Sequence, residues 1–168
     1  MNINQDEEYD GEDWKLEQLN DAVIPLKHLA NEIIKTASAI CASISEDDQI
    51  LKDYRHLLME DAYKLPVKIS GAMATLDYIL MMENAVVIKL SARNLLTACS
   101  GLDMLGYSYG DYLVAFRNEL EEFKKYFAAW VRCFPREIPL MLDGWALFYT
   151  PEDIEIWNSM NPNEMVEE

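Results

Sequence analysis

Residues 14–44 read WKLEQLNDAVIPLKHLANEIIKTASAICASI, and this stretch decides the fold. From Trp14 onward, apolar residues recur at Leu16, Leu19, Val23, Leu26, Ala30, Ile33, Ala37, Ile40 and Ile44, in alternating steps of three and four. That is heptad a/d spacing, and it lays one apolar stripe along an α-helix. Pro25 falls inside the stripe and removes a backbone donor, so a kink or a later helix start is expected there. Ser45, with Asp48 three residues on, predicts the N-terminal cap of the next helix.

Working outward, the same period returns three times. A second stripe runs Leu51, Tyr54, Leu58, Ala62, Leu65, Ile69, Ala72, Leu76, with Pro66 expected to bend it. A third runs Ile88, Ala92, Leu95, Cys99, Leu102, Leu105. One helix through both would be about 87 Å long at 1.5 Å per residue, too long for a compact domain. A break is therefore expected between Gly71 and Asn84, with Thr75 as the N-cap. Gly106-Tyr107-Ser108-Tyr109-Gly110 reads as a turn, Gly106 closing the third helix. The fourth stripe is Leu113, Phe116, Leu120, Phe123, Phe127, Trp130, Phe134, and Pro135 stops it. Four long amphipathic helices joined by short turns predict an all-α, up-down-up-down four-helix bundle over 13–134.

The ends differ from the body. Beyond residue 135 the chain is broken by Pro135, Pro139, Pro151 and Pro162 and carries Trp145, Phe148, Tyr149 and Trp157. An aromatic strap on the bundle is expected there, with a short fifth helix at 151–159, then an acidic tail to 168. Those four aromatics are the candidate partner-binding residues, since exposed aromatics anchor interfaces. Residues 1–12 are expected as an acidic N-terminal tail. Net charge is −16, yet six acids lie in 1–13 and six in 151–168 with no base in either, so 14–150 is nearly balanced. No apolar run reaches the roughly 18 residues of a membrane span. With an acidic rather than basic N-terminus, a cytoplasmic protein with no membrane partner is expected.

Chemistry-bearing motifs are few. His28 and His56 fall between stripe positions and are expected to face water, no Glu-x-x-His is present for a carboxylate-bridged metal pair, and no nucleophile elbow or phosphate loop occurs. Cys41, Cys99 and Cys133 lie on or beside the stripes and read as small hydrophobes. No catalytic residue, metal site or cofactor is expected. Basic residues come at helical spacing: Lys64 with Lys68, Lys89 with Arg93, and Lys124 and Lys125 with Arg132. These seven are the candidate nucleic-acid contacts. The competing reading is that helix-borne acids such as Asp61 and Glu121 neutralise them.

Two segments carry a family resemblance. Ala62-Tyr63-Lys64-Leu65-Pro66-Val67-Lys68-Ile69-Ser70-Gly71, and Ser91-Ala92-Arg93-Asn94-Leu95-Leu96-Thr97 followed by Leu105-Gly106-Tyr107, resemble one four-helix-bundle family. It is named for a ribosomal-like protein encoded in intervening sequences of bacterial large-subunit rRNA genes, and includes the accessory protein of diversity-generating retroelements. The likeness spans roughly 50–134, with Asp111 to Arg132 as the fourth helix. Asn94 and Leu96 stand where the family carries glutamates, and the chain is acidic where the retroelement proteins are basic. The resemblance implies a homo-oligomeric accessory scaffold, pentameric in family members, that assists a nucleic-acid enzyme such as a reverse transcriptase without catalysis. The alternatives are an acidic protein–protein adaptor docking through the strap, and a metal-binding bundle. Val87, Leu90, Leu96 and Tyr126 beside the stripes, with Tyr107, Tyr109 and Tyr112 at one end, widen the apolar surface as self-association requires.

Overall fold

The computed structural model describes residues 9–136 and 147–162, with side chains from Trp14 onward. Five helices follow in order: α1 Tyr9–Ser43, α2 Gln49–Thr75, α3 Tyr78–Met104, α4 Gly110–Val131 and α5 Pro151–Met160. α1 packs on α2 and α4, and α3 packs on α2 and α4, the square arrangement of an up-down-up-down bundle. α5 enters none of these pairings among the described residues.

The stripes meet in one core. Leu19, Val23, Leu26, Ala30, Ile33, Ala37, Ile40 and Ile44 are all buried, as are Leu58, Ala62, Leu65, Ile69 and Ala72 opposite them. Ile88, Leu95, Cys99 and Leu102 complete the α3 side, and Leu113, Phe116, Leu120, Phe123 and Trp130 the α4 side. Along α4 the rings form a column: Trp130 meets Phe134 edge-to-face with centroids 4.6 Å apart, and Phe123 stacks on Phe127. Leu16, Leu76 and Leu105, end members of three stripes, are exposed because the heptad outruns the length over which four helices overlap. α1 has 35 residues and α4 has 22, so the helices cannot overlap over the whole length of α1.

Several expectations are corrected at helix ends. α1 begins at Tyr9, inside the segment expected as tail, and is continuous through Pro25, so of the two outcomes expected there the later start does not occur. The cap of α2 is Asp48 rather than Ser45: its carboxylate accepts from Ile50 N at 3.2 Å and Leu51 N at 3.0 Å, while the Ser45 hydroxyl reaches only Asp47 N. Thr75 does not cap α3 but is the last residue of α2. Leu76 turns left-handed at φ 52° and Asp77 caps α3 through Leu80 N at 2.9 Å. A carboxylate near a helix N-terminus also meets the positive end of the helix dipole, which a hydroxyl exploits less.

Two interhelical contacts are close enough to be tested. Gly101 on α3 lies under the Tyr54 ring of α2, and a Cβ there would overlap the phenol. Glycine to alanine inside a helix ordinarily stabilises by about 0.8–1 kcal/mol. Here the clash reverses the sign. Gly101→Ala is expected to lower the melting temperature, with Tyr54→Leu restoring most of the loss in the double variant.

On the opposite side, the Thr36 hydroxyl donates to Glu119 Oε1 at 2.8 Å, while Glu119 Oε2 is buried without a partner. Burial pushes this carboxyl above its ordinary value of 4.5; the Thr36 bond pulls it partly back, and the charge of Glu32 adds to the rise. A carboxyl raised in the folded state contributes stability below its unfolded value and loses it as pH climbs through the folded one. Glu119→Gln is therefore expected to melt above the wild type at neutral pH. The gap should close on titration down toward 4.5, as followed by thermal melts across that range.

Candidate interaction surfaces

The α1–α2 and α3–α4 turns lie at the same end of the bundle, and the second is tightly specified. Gly106, at φ 80°, occupies the left-handed position after α3. Tyr107 N donates to Leu102 O at 3.0 Å and Gly106 N to Asp103 O at 3.1 Å, the paired bonds of a Schellman ending. Tyr107 then folds back into the core, and its hydroxyl pairs with the Ser43 hydroxyl at the end of α1. Burial raises its phenol pKa, the Ser43 bond opposing the shift. Tyr109 contacts Tyr107 edge-on at 5.9 Å, and Tyr112 contacts Tyr109 at 6.3 Å. The tyrosines expected to cluster there do so.

Around them the surface is apolar. Met104 is 89% exposed and Ile50 63%, with Leu105, Tyr109 and Tyr112 also exposed. Tyr54 against Gly101 and Gly71 against Asn84 set the antiparallel register of α2 and α3, which brings Ile50 level with Leu105. Carboxylates surround this end. Glu46 pairs with Arg55 and with Lys52 at 3.3 Å, and the Arg55 hydrogen bond chiefly holds its pKa below the ordinary carboxylate range. Asp103 pairs with Arg117 at 3.1 Å, while Asp47 and Asp111 make no ion pair among the described residues. The sequence reading found the tyrosines but missed Ile50, Met104 and Leu105. The available signal was a pair of apolar residues immediately before a helix-closing glycine.

The seven basic residues are borne by three helices: Lys64 and Lys68 by α2, Lys89 and Arg93 by α3, and Lys124 and Lys125 by α4, with Arg132 just after it. Lys64 pairs with Glu60 at 2.7 Å and Asp61 at 3.3 Å, Lys124 with Glu121 at 3.1 Å and Lys125 with Glu122 at 2.7 Å. Each of these pairs is within one helix. Lys68, Lys89, Arg93 and Arg132 make no ion pair among the described residues. His28 and His56 are exposed beside Glu32 and Glu60 at 3.9 and 3.5 Å. Among the described residues no three His, Cys, Asp or Glu side chains gather as a metal ion would require. Cys99 is buried, and desolvation pushes its thiol up to about 11. Cys41 is raised for the same reason.

Of the strap aromatics, Trp145 lies outside the described residues. Phe148 sits at φ 70° and is half-buried, as is Tyr149. Trp157 is buried on α5, which opens with a capping box: the Thr150 hydroxyl accepts from Asp153 N, and the Asp153 carboxylate accepts from Thr150 N at 2.8 Å. Val87 and Leu96 are half-buried, Leu90 and Tyr126 exposed. No helix among the described residues is long and apolar enough to cross a membrane.

No family model, no curated protein and no solved structure matches the chain. The tyrosine-bearing end of the bundle, its tip, is held by the Tyr107–Ser43 hydroxyl pair and the left-handed Gly106. Tyr107→Phe, which removes only the hydroxyl paired with Ser43, is expected to cost about 1 kcal/mol of stability in denaturant titrations. Gly106→Ala, forcing a Cβ into left-handed backbone, is expected to cost about 1–2 kcal/mol.

Proposed function

We propose that the protein is a non-catalytic, self-associating helical scaffold whose copies meet through the tyrosine-rich end of the bundle. One observation carries this reading: Ile50, Met104, Leu105, Tyr109 and Tyr112 form an exposed apolar end on a turn held rigid by the Schellman bonds and the Tyr107–Ser43 pair. Tyr and Met are enriched at interface cores, and a preorganised surface loses little conformational entropy on association. The surrounding carboxylates oppose the approach of two like copies. Association is accordingly expected to strengthen with added salt, as the screening length shrinks from about 30 Å at 0.01 M to about 8 Å at 0.15 M.

As an accessory protein of the cytoplasm, the scaffold would present several copies of itself to a nucleic-acid enzyme, the role the family resemblance implies. Protein contact is favoured over phosphate contact as its working mode. Lys64, Lys124 and Lys125 are already engaged by acids of their own helices. The tip is also favoured over the strap, because Trp157 is withdrawn from the surface. Multi-angle light scattering at micromolar concentration is expected to return a multiple of 19.4 kDa. Met104→Glu combined with Ile50→Glu should shift that mass to the monomer without lowering the melting temperature, since both side chains are exposed. A wild-type chain that remains at 19.4 kDa overturns the proposal.

A further inference from the structure

Away from the tip, the outer edges of α2 and α3 enclose a cleft of about 270 Å³ lined by Tyr54, Leu57, Asp61, Asn94, Thr97 and Ala98. Asp61 is the unusual member, a carboxylate whose side chain is only 10% exposed. Its charge is incompletely answered. Lys64 reaches Asp61 Oδ1 at 3.3 Å, but the same ammonium lies nearer to Glu60, at 2.7 Å. The second oxygen, Oδ2, has no hydrogen-bond partner among the described residues. Unlike Glu119 Oε2, this oxygen is not sealed from solvent, so it is available to a donor that enters the cleft.

The opposite wall offers matching groups. The Thr97 hydroxyl donates to Arg93 O at 3.0 Å, which leaves its own oxygen free to accept. Asn94 is exposed at the rim and its amide makes no hydrogen bond among the described residues. The rest of the lining is apolar or aromatic: Leu57, Ala98 and the Tyr54 ring, brought in close because position 101 has no side chain. Each wall therefore sets acceptors beside apolar surface, Asp61 with Leu57 and Tyr54 on α2, Asn94 and Thr97 with Ala98 on α3. The complement is a cation rich in N–H donors, flat enough to lie against a ring, and carried on an apolar stem.

A guanidinium group meets those requirements better than an ammonium. Its donors lie in one plane in a fixed fork that matches a carboxylate, and its weakly hydrated face stacks on aromatic rings. We propose that the α2–α3 cleft binds an alkyl guanidinium group, either a free small molecule or an arginine side chain of a partner, with Asp61 as its counter-ion. Lys64 stands at the rim as a competing cation. The site is independent of the tip and does not rest on the scaffold reading.

The test is a chemical-shift titration of the isotope-labelled full chain at about 0.15 M ionic strength, where non-specific attraction to the acidic surface is largely screened. Three probes are compared: n-butylguanidinium chloride, an acetylated and amidated Gly-Arg-Gly peptide, and n-butylammonium chloride. The amides of α2 around 54–61 and of α3 around 94–98 are expected to shift saturably with the guanidinium probes and more weakly with butylammonium. Saturation by both guanidinium probes identifies the site as open to free ligands. Saturation by the peptide alone identifies a partner's arginine. Asp61→Asn, nearly isosteric, is expected to weaken binding by about tenfold or more, as loss of a charge-assisted pair requires. Lys64→Ala is expected to tighten it, an effect that a purely structural Asp61–Lys64 pair would not produce. Ala98→Leu, which fills the cleft, gives an independent loss. The proposal is overturned by shifts that never saturate, by equal binding of butylammonium, or by unchanged affinity in Asp61→Asn.

Discussion

Everything in this structure depends on the burial of four apolar stripes against one another. Each helix carries its stripe on one side only, so none is stable alone, and the square packing of α1 through α4 removes all four from water together. Roughly 25 cal/mol is gained per Å² of apolar surface buried, and only a shared core of this size offsets the ordering of four long helices. The aromatic column from Phe123 to Phe134, with Phe116 buried further along α4, supplies the bulkiest part of that core. Alanines at 30, 37, 62, 72 and 85 on α1, α2 and α3 are the small counterparts that let the large rings fit.

Because the stripes occupy the interior, function is left to the places where the stripe rule ends. The tip is one such place. The third stripe runs past the last full turn of α3, which leaves Leu105 exposed next to Met104. The chain then reverses through Gly106 and returns Tyr107 to the core. The cleft is another, because Asp61, next to the stripe member Ala62, is buried between helices without belonging to the stripe. Both features combine a rigid frame with unmet surface chemistry, apolar in the first case and ionic in the second.

Much of the architecture was legible in the sequence for a physical reason. A heptad sustained over three or four repeats is the signature of a packed helix, so the core members Leu19 to Ile44 and Leu113 to Phe134 follow from spacing alone. Helix ends were less legible. Ser45 and Asp48 are both good caps, and which one serves depends on where the backbone becomes helical, a choice made by the α1–α2 packing. Thr75 and Asp77 pose the same ambiguity, resolved by a left-handed Leu76 that no local propensity favours. The cleft could not have been read from the chain at all. Asp61 looked like a neutraliser of Lys64, and only the approach of α3 brings it into one cleft with Asn94 and Thr97. The basic residues teach the converse: Lys64, Lys124 and Lys125 each pair with an acid of their own helix, a contact set by spacing rather than by assembly.

The central claim is that the rigid tyrosine-rich end is where copies of this chain meet. Hydrogen–deuterium exchange of the full chain, read by mass spectrometry across a dilution series, tests it most directly because it reports place as well as occurrence. The account predicts that protection of peptides covering residues 49–53 and 104–112 rises with protein concentration, while the middle of all four helices stays unchanged. Exchange that is independent of concentration at that end, or that changes on the helix flanks instead, would contradict it.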